Sequence, residues 1–149
     1  MLGARWSEID FGAKVWTVPA GRMKGGREHR VPLSGAALAV LTRMAKIREG
    51  DHVFPGDRRA TLSNMRRMGH GDLTAHGFRS TFRDWAAEKT NYPREVCEAA
   101  LAHTVKSDTE ARYFRSDLLE KRRELMEAWA AFAYRLPGEN VVPLFGGAA

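Results

Sequence analysis

The apolar residues of this chain change their spacing once, close to residue 33, and that change limits the fold more than any other feature. Ahead of it they alternate with polar ones. Trp6-Ser7-Glu8-Ile9-Asp10 reads as a strand, Phe11-Gly12 offers a turn, and Lys14-Val15-Trp16-Thr17-Val18 is rich in β-formers. Pro19 stops that strand, Ala20 to Gly26 is a glycine-containing loop, and Glu28 to Val31 alternates again before Pro32. The pattern predicts a small three-stranded antiparallel meander whose second hairpin carries a basic tip of Arg22, Lys24 and Arg27.

After residue 33 the spacing becomes helical. Ser34 suits an N-cap, and Gly35 to Arg48 carries a stripe of Leu38, Leu41, Ala45 and Ile47 that Gly50 closes. A short apolar piece, Val53-Phe54-Pro55, precedes a basic, loop-like stretch with Arg58-Arg59 and Arg66-Arg67. Beyond Gly69-His70-Gly71 a helix is expected from about Thr74 to Lys89, with Phe78, Phe82 and Trp85 on its apolar face. Asn91-Tyr92-Pro93 breaks it, and Pro93 opens the next helix, which runs through Leu101. Thr109 to Arg115 suits a short helix, and Leu118 to Leu136 a long amphipathic one ended by Pro137-Gly138. The fold class is therefore α+β, a small N-terminal sheet in front of a mostly helical body. Residues 1–136 form one domain, and the apolar tail 137–149, with Val141 to Phe145, is expected to dock on this chain or on a neighbour.

No stretch approaches the eighteen apolar residues of a membrane span, and Met1 to Trp6 lacks the features of a secretion signal. Cys97 is the single cysteine, so no internal disulfide can form, and a cytoplasmic setting is expected. It sits in a helical stretch beside Val96 and Ala99, where packing is the ordinary role. The formal charge is +6, which suits a polyanionic partner or simple solubility. The placement of the charges has to decide.

Four features stand in chain order: Lys24 on the hairpin tip, His76-Gly77-Phe78-Arg79, Leu101-Ala102-His103, and Arg112-Tyr113. Each has an ordinary explanation when taken alone. Lys24 suits a solvated loop, His76 and Arg79 a helix-start pair, His103 a C-terminal cap, and Tyr113 a half-buried aromatic. A zinc site on His70, His76 and His103 lacks a usual ligand spacing, and no metal is expected.

Together, the His-x-x-Arg pair, the later Leu-x-His, the Tyr beyond it and the hairpin Lys ahead of Val31-Pro32-Leu33 resemble the signature of the tyrosine recombinases, the phage-type integrases. Ala4 to Asp10, Arg27 to Leu33, Leu73 to Arg79, Asn91 to Glu95 and Glu120-Lys121-Arg122-Arg123 resemble P4-type prophage integrases in particular. The resemblance spans nearly the whole chain. It implies the helical catalytic domain of DNA breaking-rejoining enzymes, acting on double-stranded DNA through a 3′-phosphotyrosine, with no cofactor. It further implies Tyr113 as nucleophile, Arg79 as phosphate clamp, His76 as proton-handling partner, His103 as phosphate donor and Lys24 as general acid. Lys24, Arg22, Arg27, Arg66, Arg67, Arg83 and Arg112 are expected to meet DNA, and the tail to support self-association on it.

The family pattern also holds a second phosphate-clamping Arg, in a Gly-x-Arg-x-x-Glu-like stretch directly upstream of the Leu-x-x-Arg-Trp segment. This chain begins at Met1-Leu2 without it, and Arg5 beside Trp6 is no substitute. The expectation is a catalytic portion truncated at its N-terminus, with weak, salt-sensitive DNA binding and poor or absent strand cleavage, since losing one such donor costs on the order of 10²–10³ in rate. The competing readings are a DNA-binding module or inactive integrase remnant, a type IB topoisomerase-like nicking enzyme, and a purely structural interaction domain.

Overall fold

A computed structural model describes residues 3–55, 58–74, 76–103 and 116–135, the side chains of residues 58–62 excepted. The expected α+β architecture is present. Three short strands, β1 (Ile9–Asp10), β2 (Val15–Val18) and β3 (His29–Pro32), form an antiparallel sheet in the order β1-β2-β3. Its register pairs Ile9 with Trp16 and Trp16 with Val31. Five described helices follow: α1 (Gly35–Lys46), α2 (Arg58–Arg67), α3 (Gly77–Lys89), α4 (Arg94–Ala100) and α5 (Leu119–Ala133).

Several local expectations hold for their stated reasons. Ser34 caps α1, its hydroxyl accepting from the Ala37 amide at 3.3 Å. Pro93 stands at the N-cap of α4. Gly50 takes φ +101, open to glycine at little cost, but it lies three residues beyond the Ile47 C-cap and so does not close α1.

Others need correction. Trp6–Glu8 is a 3-10 turn, not part of the first strand. Its local bonds win over alternation: the Glu8 carboxylate accepts from the Arg5 amide, and the Trp6 and Val53 amides pair with Asp51 and Ala4 across the front. The basic stretch read as a loop contains α2. Strong helix formers fill it and neither Gly nor Pro interrupts residues 58–68, so propensity carries the helix without an apolar face. α1 stops at Lys46, which leaves Ile47 68% exposed instead of closing the apolar stripe. Phe78, on the first turn of α3, is 57% exposed; the face that packs begins at Phe82. The expected 109–115 helix and the tail 137–149 lie outside the described residues.

Two apolar clusters result. The front one joins Ala4, Trp6, Leu33, Leu41 and Val53 between the sheet and α1. The rear one joins Phe82, Trp85 and Ala86 of α3, Val96 and Cys97 of α4, Leu101, and Leu125 of α5. Phe82 meets Trp129 edge-on with ring centroids 5.4 Å apart, and Trp85 lies 5.1 Å from the same indole. Helix α5 packs on β3, α1 and α4, so it bridges front and rear. Glu127 of α5 reinforces that bridge by accepting from the Gly35 amide at 2.9 Å, one of the open donors at the start of α1.

Candidate active site

His76, Arg79, Arg83 and His103 meet between the start of α3 and the end of α4. His76 is the N-cap of α3, and its carbonyl accepts from the Arg79 amide at 3.0 Å. Successive turns of the helix then carry Arg79, Ser80 and Arg83 along one side. At the far end of α4 the chain makes a Schellman turn. The Ala102 amide donates to Ala99 O at 3.1 Å and the His103 amide to Glu98 O at 3.0 Å, with Ala102 at φ +52. That turn folds His103 back over the helix end. An Arg79 Nη2 to Leu101 O hydrogen bond ties the two helices together at this point.

The outcome is a cleft of about 210 Å³ lined by His76, Arg79, Ser80, Arg83, Asp84, Leu101 and His103. Pockets for drug-sized ligands run about 300–1,000 Å³, so this one suits a small polar group. Two guanidiniums and two imidazoles, against the carboxylates of Asp84 in the lining and Glu98 beside it, supply the donors that an anion would need. His29 of β3 is half-buried and feels the same field. Burial lowers its pKa, Arg122 adds to that, Asp117 opposes, and Arg79 lowers it further, for a net fall below 6.5. The strand entered from the Lys24 loop thus lies within electrostatic reach of Arg79.

Other expected contacts sit elsewhere. Lys24 is exposed on the β2–β3 connection and is not among the cleft-lining residues. Arg22, on the 3-10 turn Ala20–Arg22, pairs with Glu8 and donates to Gly3 O. Arg27 is exposed on the loop before β3, while Arg66 and Arg67 are exposed at the end of α2. Arg112 and Tyr113 lie outside the described residues. Among the described residues no three His, Cys, Asp or Glu side chains gather as metal ligands, His70, His76 and His103 included. Cys97 is buried in the rear cluster, and that burial raises its thiol pKa.

The profile of the Phage integrase family matches residues 1–120. The chain belongs to that family. It is 42% identical over 137 residues to the prophage integrase IntA of Escherichia coli K12, covering 85% of this chain and 33% of that protein. It is 34% identical over 155 residues to the integrase of Enterobacteria phage P4, covering 87% of this chain and 35% of that one. The integrase of Shigella phage Sf6 is 31% identical over 137 residues, with 85% and 35% covered. The chain spans about a third of the length of the curated relatives it matches. No solved structure matches it. Among the described residues no helix is long and apolar enough to cross a membrane.

Two residues of this integrase-family chain escape sequence reasoning. Glu98 sits beside His103 and Arg83; its i, i+4 spacing from Arg94 was the readable signal, and it pointed only to a surface pair. Arg122 is buried in α5 one turn from Leu125, a charge within the apolar stripe of that helix.

Proposed function

We propose that this chain carries the strand-cleaving and rejoining chemistry of a site-specific DNA recombinase, with Tyr113 as its nucleophile. The observation that supports the reading is the cleft on which His76, Arg79, Arg83 and His103 converge although two helices supply them. In the proposed step the Tyr113 hydroxyl oxygen attacks a backbone phosphorus in line. A phosphorus–tyrosine bond forms, the bond to the 5′ oxygen breaks, and the 3′-phosphotyrosine keeps the bond energy for rejoining. The phenol has an ordinary pKa near ~10, so its proton must leave as attack proceeds, and His76 handles it. Arg79 and His103 donate to the non-bridging oxygens, where removing one such donor costs about 10²–10³ in rate. Lys24, carried in on its hairpin, protonates the departing 5′ oxygen. No step consumes a nucleotide or an external oxidant.

The partner in this reading is double-stranded DNA. Arg22, Arg27, Arg66, Arg67 and Arg112 track its backbone, and the tail 137–149 docks either in cis on its own chain or in trans on a neighbour, where it supports self-association on DNA. The test is a covalent-adduct assay on nicked duplexes of mixed sequence, resolved under denaturing conditions. Wild-type chain is expected to give a protein–DNA adduct that Tyr113→Phe abolishes while DNA binding persists. An adduct surviving in Tyr113→Phe removes that residue from the role. Binding with no wild-type adduct favours a DNA-binding module.

A further inference from the structure

Glu98 takes no part in the scheme above, yet its carboxylate is the most heavily engaged one beside the cleft. Oε2 holds His103 Nδ1 in a hydrogen bond. Oε1 lies 2.5 Å from Arg83 Nη1 and 3.9 Å from Arg94 Nε, contacts that are ion pairs without the alignment of a hydrogen bond. The side chain keeps 18% of its exposure. Burial alone would raise its pKa, but the His103 bond and the charges of Arg83, His103 and Arg94 outweigh that and hold it below 4.5. Glu98 is therefore ionised at neutral pH.

We propose that Glu98 is the positioning residue of His103: it keeps the first proton on Nδ1, so that Nε2 takes the second, and the resulting imidazolium donates from Nε2 to an anion in the cleft. The inference rests on reading the cleft as a phosphate site. An ionised carboxylate can only accept, so the Nδ1 facing it must be the donor. Nε2 is then the nitrogen without a partner among the described residues. The arrangement is doubly tied. The Schellman turn bonds the His103 amide to the Glu98 carbonyl, and the side chains of the same two residues bond again. Neither ring rotation nor a change of tautomer can occur without breaking a charge-assisted bond. Carboxylates orient histidines in this way in metal sites and hydrolase triads, with the second ring nitrogen delivered to the reacting group. The same carboxylate draws Arg83 to the cleft wall, so one acid sets two donors.

Binding strength alone cannot test this, because removing Glu98 also removes a negative charge near the anion. The tautomer can. Long-range proton–nitrogen correlation spectra of the full chain, above the imidazole titration, report which ring nitrogen is protonated; Nε2–H is the form free histidine favours. Wild-type His103, assigned by loss of its signals in His103→Asn, is expected in the Nδ1–H form. Glu98→Ala is expected to return it to Nε2–H, and Glu98→Gln, which keeps an acceptor oxygen, to restore Nδ1–H. A wild-type ring already in the Nε2–H form overturns the proposal even if the Glu98→Ala chain fails to fold. So does an Nδ1–H ring that Glu98→Ala leaves unchanged. Below the imidazole titration, where both ring nitrogens carry protons, inorganic phosphate, then a short mixed-sequence duplex, is expected to shift the wild-type Nε2–H resonance. An Nδ1–H ring whose Nε2 ignores both probes sinks the phosphate reading of the cleft and this proposal with it, whereas an Nε2–H ring that responds to them sinks this proposal alone.

Discussion

Arg122 Nη1 donates to the main-chain oxygen of Arg30 at 2.7 Å, across 92 positions of sequence. The guanidinium is 1% exposed, and its Nη2 lies 3.2 Å from Asp117 Oδ2. The same oxygen holds Arg30 Nε at 2.8 Å. One carboxylate thus serves two arginines and fixes the start of α5 to β3.

Arg122→Ala is expected to destabilise the domain by about 1–3 kcal/mol for the unpaired Arg30 carbonyl, and by more for the cavity its buried stem leaves. Arg122→Met, which keeps most of the buried stem, should lose less. Urea midpoints measure both. Equal midpoints for wild type and Arg122→Ala would show that the cluster carries no stability.

Acid should unfold the protein in two stages. His29 has a pKa below its ordinary 6.5 in the fold, so below that value the unfolded chain binds more protons and stability starts to fall. Asp117 and Glu98 contribute next. Burial would raise the Asp117 carboxyl, but the Arg30 hydrogen bond, the Arg122 and Arg30 charges and the Leu119 amide hold it below 3.8. Glu98 lies below 4.5. Depressed carboxyls stabilise above their unfolded values and lose that effect as pH falls through the folded ones. Asp117→Asn should flatten the lower stage, and His29→Gln the upper one, in melting temperatures taken across pH.

Leu125→Ala is expected to cost about 2–5 kcal/mol, since the side chain is 0% exposed in the rear cluster. Calorimetry would show it. A cost under about 1 kcal/mol would mean the cluster collapses around the gap with unusual ease.

Ala102→Gly should stabilise. A left-handed alanine costs about 1–2 kcal/mol, and the greater unfolded freedom of glycine offsets about 0.5–1 of that, leaving a net gain of roughly 0.5–1 kcal/mol. The same spectra that follow His103 should remain unchanged, because the turn is preserved.

Arg66→Gln and Arg67→Gln together test the outlying basic face. If both side chains meet phosphates, the slope of log affinity against log salt should become shallower by about 0.9 for each. An unaltered slope would place the DNA elsewhere.

The readable parts of this fold were those set by local rules. Alternation around Trp16 and Val31, the Ser34 cap and Pro93 each act within a few residues, so sequence displayed them. α2 stayed hidden because its basic side chains drew the eye to charge and away from propensity. His76, Arg79 and His103 were legible as residue types in order. Their meeting was not, because it depends on Phe82, Trp85 and Val96 seating α3 against α4. Glu98 was hidden for a related reason: its grip on His103 passes through a left-handed turn at Ala102, and alanine gives no warning of one.

The bridging role of α5 also has a consequence in time. During synthesis β3 leaves the ribosome 92 residues before the Arg122 that locks onto it. At about 5–20 residues per second, that is a wait of roughly 5–20 s before α5 can cover β3. The nascent front half is where chaperones should bind, and release should coincide with the emergence of α5.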